Sequence, residues 1–252
     1  MIAIISPAKS LDFDSPLPGH KLTDSRFQEE TARLAGAISN LSKKKLKSIM
    51  PVSDNLIDLN HGRYGQFFDQ PERAAIFAYS GDVYTGFEAK SLSKEGLNFA
   101  QSHLRILSGL YGLLRPFDPI RPHRLEMGTR WAPRYKKLTD FWKDKIANEL
   151  ANDLKETNEQ VIVNLASNEY WAAVKPHAEK LKARIIEVDF RKDGPDGPKF
   201  ISFEAKRARG MMARYICENH LQDADALKDF DSDGYKFDAE SSTGDSLRFI
   251  RS

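Results

Sequence analysis

Short apolar runs separated by amphipathic stretches constrain the fold of this chain more than any other feature. The runs at 2–5, 74–79 and 161–165 are four to six residues long and are bounded by polar or turn residues, which predicts buried strands. The segments 185–190 and 200–204 flank the turn-rich sequence Lys-Asp-Gly-Pro-Asp-Gly-Pro and predict a β-hairpin.

Helical periodicity and capping residues predict helices at 25–39, 93–107, 110–115 and 206–219. A final apolar run at 247–250 predicts an edge strand. Strands and helices therefore alternate, but the hairpin requires one antiparallel pair. We predict a mixed α/β (α+β) fold in which residues 1–252 form one domain, with a central mixed sheet surrounded by helices.

Composition excludes several classes of protein. The 252 residues contain 38 Lys and Arg against 36 Asp and Glu, a net charge of +2, and the single cysteine, Cys217, allows no internal disulfide. The six histidines have no metal-ligand spacing, so neither a metal nor another cofactor is expected. No apolar run is long enough to span a membrane, and the N-terminus does not resemble a signal peptide. We expect a cytoplasmic monomer.

Positive charge is concentrated in the middle of the chain. Residues 103–137 contain eight Lys or Arg against two carboxylates, Asp118 and Glu126. Such a local excess in a nearly neutral protein is typical of a surface that binds phosphates. A solvated, charged loop is the alternative.

The same segment contains Ser108–Pro116, where Gly109 and Gly112 define a turn that we expect between two helical pieces. A helix-hairpin-helix element exposes backbone N–H groups to phosphate oxygens in this way, although its glycines are usually one residue closer together. The alternative is that Gly109 ends a helix and Gly112 allows close packing. The cationic side chains that we predict to bind phosphate are Arg105, Arg115, Arg121, Arg124, Lys206, Arg207, Arg209 and Arg214.

Polar loops follow three of the predicted strands, at 6–9, 80–86 and 167–170. Ligands of α/β proteins usually bind beyond the carboxyl ends of strands, so these loops could line one pocket. Ordinary capping and turn functions are the alternative. The predicted pocket residues are Ser6, Lys9, Asp82, Tyr84, Asn164, Ser167 and Tyr170, and the candidates for a catalytic role are Lys9, Glu126 and Lys206.

Six sequence motifs resemble those of the bacterial YaaA peroxide stress resistance family. They lie at 5–12, 81–86, 103–116, 124–128, 164–170 and 205–210, and they include Ser-Pro-Ala-Lys, Gly-Asp-Val-Tyr-Thr-Gly and Ser-Gly-Leu-Tyr-Gly-Leu-Leu-Arg-Pro. The resemblance implies a cytoplasmic protein of the hydrogen peroxide response that is linked to lower free intracellular iron. It also implies a helix-hairpin-helix-like element and a basic cleft that binds DNA.

Two functions therefore remain open. The leading hypothesis is a DNA-binding stress protein that contacts the phosphates of duplex, distorted or single-stranded DNA, largely without sequence specificity. The alternative is an enzyme that acts on a nucleotide, nucleoside or nucleobase in the strand-end pocket containing Lys9. Direct iron sequestration or peroxide reduction has little support from one cysteine and six dispersed histidines.

Overall fold

A computed structural model of the chain describes residues 1–17 and 19–252. The strands are β1 Ile2–Ile5, β2 Ser10–Leu11, β3 Arg73–Ala74, β4 Tyr79–Ser80, β5 Leu104–Ser108, β6 Gly112–Leu114, β7 Pro119–Ile120, β8 Val161–Leu165, β9 Arg184–Lys192, β10 Tyr235–Phe237 and β11 Ser246–Arg251. The α-helices are α1 Gln28–Ser39, α2 Lys43–Ile49, α3 Asp54–Gly65, α4 Ala75–Ala78, α5 Asp82–Phe87, α6 Lys94–His103, α7 Leu138–Trp142, α8 Lys145–Glu156, α9 Asn168–Trp171 and α10 Ser202–Glu218. Five short 3₁₀ segments complete the secondary structure of the described residues.

Seven strands form one mixed sheet in the order β10-β11-β9-β8-β1-β5-β6. The five strands from β11 to β5 run parallel, whereas β10 and β6 run antiparallel to their neighbours at the two edges. All four residues of β1 are fully buried, as expected for a central parallel strand whose two faces are both covered. The predicted mixed α/β class with a central sheet and surrounding helices is confirmed.

Strands β1 and β8 are parallel neighbours, but the chain continues from them to opposite sides of the sheet. The connection from β1 leads to β5 on one side of it, and the connection from β8 leads to β9 on the other. The crevice beyond the carboxyl ends of two such strands is where α/β folds bind ligands, because the connecting loops diverge there. Helix α10 packs across β1, β8 and β9 and so supports the strands that border this crevice.

Four predicted elements were wrong: the strand at 74–79, the end of the helix at 93–107, the strand at 200–204 with its hairpin, and the helix at 110–115, which is a turn followed by strand β6. The apolar run 74–79 is a buried helical turn, α4, between two-residue strands, and a short apolar run does not separate these possibilities. The helix predicted through residue 107 ends at His103, because Leu104, Arg105 and Ile106 pair with β1. Residues 202–204 begin α10 rather than a strand, and residues 200 and 201 lie just before that helix. Of the predicted hairpin, the structure has one isolated bridge between Lys192 and Lys199.

The segment predicted to resemble a helix-hairpin-helix is a β-hairpin. Strand β5 turns directly into β6, and Ser108 pairs with Gly112 across the turn. Gly112 adopts a φ of 69° against the ring of Trp142, and a Cβ at Gly109 would overlap the carbonyl oxygen of Leu125. Both glycines are therefore needed for a tight interior turn, and their backbone is buried away from any phosphate.

The strand predicted at 247–250 is confirmed within β11, but it lies inside the sheet because β10 covers it. Within the described residues, no helix combines the length and the apolar character needed to cross a membrane.

Candidate functional site

A cavity of about 880 Å³ lies beyond the carboxyl ends of β1, β8 and β9, where the chain leaves β1 and β8 towards opposite sides of the sheet. Its walls come from the loops after β1 and β8, from the end of β9, from the start of α5 and from the first turns of α10. Glu126 closes one side from the long irregular segment between β7 and α7.

Backbone pairing explains why loops that are distant in sequence meet here. Ser10 of β2 pairs with Ser80 of β4, which ties the loop containing Lys9 to the loop that begins α5. The Ser167 N–H donates to Ser6 Oγ at 2.9 Å, which ties the ends of β1 and β8 together. The three predicted strand-end loops therefore line one cavity.

Tyr84 lies behind the cavity rather than in it. Its hydroxyl donates to the Ser6 carbonyl oxygen at 3.2 Å, and burial raises the pKa of Tyr84 well above its ordinary value. The neutral phenol thus supports the loop after β1. Tyr170 is among the lining residues, and burial likewise raises its pKa.

Asn164 organises the end of β8. Its Oδ1 accepts from the Ala166 N–H at 3.0 Å, and its Nδ2 donates to Glu187 Oε2 at 2.7 Å. The side chain thereby fixes a carboxylate of β9 at the cavity wall. Asn164 is therefore a positioning residue for Glu187.

Glu126 is held from one side by cations. Arg124 Nε donates to Glu126 Oε1 at 2.9 Å, and Lys9 Nζ lies 4.0 Å from the same oxygen. The Lys9 side chain is 68% exposed and Glu126 is partly buried. Both cations approach Oε1 more closely than Oε2.

Lys206 and Arg209 lie three residues apart on α10 and both line the cavity. Among the described residues, neither makes an ion pair within 4.0 Å, and Arg209 Nε is buried with no hydrogen-bond partner. Burial lowers the pKa of Arg209, and the carboxylates of Asp189 and Glu187 partly offset that effect. A buried guanidinium N–H without a partner is costly unless a ligand accepts from it.

Most of the other predicted phosphate-binding arginines contact carboxylates elsewhere. Arg121 pairs with Glu72 at 2.9 Å, Arg115 with Asp118 at 3.2 Å, Arg207 with Asp233 at 3.5 Å and Arg214 with Glu218 at 3.2 Å. Arg105 is 3% exposed and forms a bidentate pair with Asp153 in the interior. Of the eight cations, the structure brings Lys206 and Arg209 into the cavity, with Arg124 bound to its wall at Glu126.

The lining residues that sequence reasoning missed include three charged residues of β9 and one aromatic residue after it. Glu187, Asp189 and Arg191 alternate along β9 and face the cavity, and Phe200 lies just before α10. The period-two spacing of charges at the end of a strand was the available signal for the first three. Phe200 was not predicted as a lining residue because the segment 200–204 was predicted to be a strand of a hairpin.

Comparison with known proteins gives the family. A family model described as peroxide stress protein YaaA matches residues 1–241. The chain belongs to the YaaA family of peroxide stress proteins. Among curated relatives named UPF0246 protein, one from Rhizorhabdus wittichii is 55% identical, covering 100% of this chain and 99% of the relative. Relatives from Paraburkholderia phytofirmans and Alteromonas mediterranea are 47% and 46% identical, each covering 100% of this chain and 98% of the relative.

Membership of the YaaA family agrees with the resemblance seen in the sequence motifs. Those motifs supply much of the cavity: Ser6 and Lys9 from the first, Asp82 from the second, Asn164 and Ser167 from another. Five of the six segments that carry the family resemblance therefore line one cavity, and the segment 103–116 does not.

Proposed function

We propose that this member of the YaaA family is an enzyme of the peroxide stress response that acts on a nucleotide, nucleoside or nucleobase in the strand-end cavity. The observation that carries the proposal is the meeting of Lys9, Glu126 and Lys206, from three distant parts of the chain, at one cavity. Polar cavities in which charged groups converge are typical of active sites.

Each of the three groups has a chemical role in this proposal. Lys206 and Arg209 would receive an anionic group of the substrate, because neither makes an ion pair within 4.0 Å among the described residues, although Asp189 and Glu187 act on Arg209 from a greater distance. Glu126 would act as the general base through Oε2, with Arg124 as the positioning residue. Lys9 would stabilise negative charge that develops beside Glu126.

The first test is extraction of small molecules from protein purified without added ligand, followed by mass spectrometry, and a thermal-shift series with nucleotides, nucleosides and nucleobases. We expect one of these classes to raise the melting temperature of the wild type and to lose that effect in Lys206→Ala. Arg207→Ala is the matched control, since Arg207 is the next residue of α10 but pairs with Asp233 outside the cavity. An empty cavity with no shift from any compound would contradict the proposal.

DNA binding is the second candidate, and one exposed loop favours it. Arg130, Arg134, Lys136 and Lys137 are all exposed, and among the described residues none has a carboxylate within 4.0 Å. The loop continues from Glu126, and the Gly128 N–H donates to Glu169 of the cavity wall at 3.1 Å. We propose that these cations, rather than the paired arginines, contact DNA phosphates beside the cavity.

Fluorescence anisotropy with duplex, bubble and single-stranded DNA at several salt concentrations tests this second candidate. We expect affinity to fall steeply with salt, and the combined Arg134→Ala and Lys136→Ala variant to weaken binding and reduce the salt slope. Arg121→Ala with Arg124→Ala is the comparison, because both arginines already have carboxylate partners. If only the Arg121→Ala and Arg124→Ala variant loses DNA binding, the DNA contact surface is formed by these predicted arginines and not by the exposed loop.

We propose that any effect on free intracellular iron is indirect and follows from protection of DNA or from altered nucleotide chemistry. In residues 1–17 and 19–252, no three His, Cys, Asp or Glu side chains are grouped so that they could hold a metal ion. Retention of Fe(II) in stoichiometric amounts by the purified protein on a desalting column would contradict the indirect route.

A further inference from the structure

An exposed aromatic ring lies at the mouth of the cavity. Phe200 lines the cavity and is 48% exposed, and the guanidinium carbon of Arg191 lies 5.6 Å from the centre of its ring. Arg191 is itself held by Asp189, to which its Nε donates at 2.8 Å. Phe200 therefore has one neighbour in a fixed position and a large part of its surface open, an arrangement suited to stacking against a flat ligand.

The backbone holds this ring in place. Lys192 and Lys199 exchange two backbone hydrogen bonds at 2.9 and 2.8 Å, which closes the loop just before Phe200. Helix α10 begins two residues later, at Ser202. Phe200 is thus fixed between the end of β9 and the first turn of α10 and is not part of a free loop.

The anion-binding groups follow on the same helix. At about 1.5 Å per residue, Lys206 and Arg209 lie about 6 Å and about 10 Å along the axis from Ser202, and side chains on a helix lean towards its N-terminus. One ligand that carries an aromatic ring and a phosphate can therefore contact both Phe200 and these cations. Glu187, fixed by Asn164, lies on the cavity wall as an acceptor for hydroxyl groups between the two ends.

The charge balance of the cavity limits how many phosphates it accepts. Five carboxylates line it, from Asp82, Glu126, Glu169, Glu187 and Asp189, against four cations, from Lys9, Arg191, Lys206 and Arg209. A di- or triphosphate would bring further negative charge against these carboxylates, whereas a single phosphate can be matched by Lys206 and Arg209 alone.

We infer that the cavity recognises a nucleoside monophosphate unit, with its base stacked on Phe200 and its phosphate bound by Arg209 and Lys206. This inference rests on the proposed function and specifies its substrate class. The unit is either a free mononucleotide or an unpaired nucleotide of a DNA strand that reaches the cavity past the basic loop 130–137.

Isothermal titration with the full-length protein tests the assignment, using a nucleoside, its 5′-monophosphate, its 5′-triphosphate and ribose 5-phosphate. We expect the monophosphate to bind most tightly. Phe200→Ala should weaken the binding of the monophosphate and of the nucleoside by about tenfold or more, because stacking of a base on an aromatic ring is lost. The same variant should bind ribose 5-phosphate as tightly as the wild type does. Phe203→Ala is the matched control, since Phe203 is 62% exposed on α10 but does not line the cavity.

Arg209→Gln should weaken the binding of the monophosphate and of ribose 5-phosphate without affecting the binding of the nucleoside. If the Arg209→Gln variant does not fold, Arg209→Lys tests the same point. Competition of a bubble oligonucleotide with the free monophosphate separates the two sources of the ligand. Equal binding of the monophosphate by the wild type and Phe200→Ala, or tighter binding of the triphosphate, would overturn this inference while the proposed function stands. Absence of binding by every compound, in this titration and in the thermal-shift series with nucleotides, nucleosides and nucleobases, would overturn both.

Discussion

Gly86 of α5 and Gly210 of α10 face each other where the two helices cross. A Cβ at Gly210 would overlap the carbonyl oxygen of Val83, and a Cβ at Gly86 would overlap that of Arg207. The two backbones are thus in direct contact, which only glycine allows at both positions. This contact fixes α5, which begins with Asp82, against α10, which carries Lys206 and Arg209, and so sets the width of the cavity between them.

Gly210→Ala should therefore destabilise the protein by about 1–3 kcal/mol, because the added methyl group must push α5 and α10 apart. We expect the same variant to lose any ligand-induced rise in melting temperature, since the cavity walls move with these helices. Urea denaturation measures the first effect and thermal shift the second. Gly62→Ala is the control: Gly62 is exposed on α3 with nothing within 4 Å of an added Cβ, so alanine should be neutral or stabilising there. Equal effects at both sites would contradict the role of the helix contact.

Asp153 holds β5 and the segment before α1 to α8 through two arginines. Arg105 Nε and Nη2 donate to its two carboxylate oxygens at 2.7 and 2.9 Å, and Arg26 also donates to both. Removal of one partner from such a buried pair leaves uncompensated charge, so Asp153→Asn should cost about 3–5 kcal/mol in urea denaturation. Glu149→Gln is the control, because Glu149 meets Arg26 at 3.3 Å in a more exposed position and should cost at most about 1 kcal/mol.

The same ion pair has a predictable pH dependence. Burial alone raises the pKa of Asp153, but the hydrogen bonds from Arg105 and Arg26 lower it by a larger amount. The pKa of Asp153 in the folded protein is therefore below its ordinary value of 3.8. Its contribution to stability is therefore complete above the ordinary carboxyl pKa and is lost as pH falls towards the folded value. Asp153→Asn should therefore reduce the loss of stability at low pH, measured by urea denaturation over a pH series. An equal loss of stability in the wild type and the variant would exclude Asp153 as its source.

The cavity was more predictable from the sequence than the arginine surface, and the reason is physical. Ser6, Asn164 and Ser167 follow runs of apolar residues, so their position at strand ends is a local property of the chain. Partners such as Glu72 for Arg121 lie tens of residues away and are set by tertiary packing alone. Asp118 and Glu218, by contrast, follow Arg115 and Arg214 by three and four residues, so local spacing could have indicated those two pairs.

The secondary-structure predictions for two segments were wrong for a related reason. Residues 104–107 continue the helical periodicity of α6, but they pair with β1 at the centre of the sheet, and burial in a parallel sheet outweighs the weak preferences of single residues. The run 74–79 is apolar throughout, and its α4 turn is satisfied by backbone acceptors at Pro116 and Asp118 that no local pattern reveals.

His123 should make the protein less stable in mild acid. Burial lowers the pKa of His123 from 6.5 to about 4, and its ring packs against Tyr79 and Tyr111. Because the unfolded chain takes up the proton at a higher pH than the folded protein does, stability is full above about pH 6.5 and falls by about 3 kcal/mol as pH decreases to about 4.

Urea denaturation at pH 7.5, 6, 5 and 4.5 measures this slope. We expect His123→Gln to flatten it, whatever its effect on stability at pH 7.5. Tyr79→Phe is the control, since it disturbs the same cluster by removing the hydroxyl that contacts Ser108 without removing a group that titrates in this range. A slope that is equally steep in His123→Gln would assign the acid sensitivity to other groups.

Cys217 should not react with hydrogen peroxide in the folded protein, although the protein belongs to a peroxide stress family. The thiol is fully buried in α10, and burial raises its pKa far above the ordinary value of a thiol, so the reactive thiolate is essentially absent. Treatment of the native protein with peroxide, followed by peptide mass spectrometry, should show unmodified Cys217. The same treatment in guanidinium chloride should oxidise it, because unfolding exposes the thiol. Sulfenic or sulfinic acid at Cys217 of the native protein would mean that α10 opens locally, and would make the cysteine a candidate peroxide sensor.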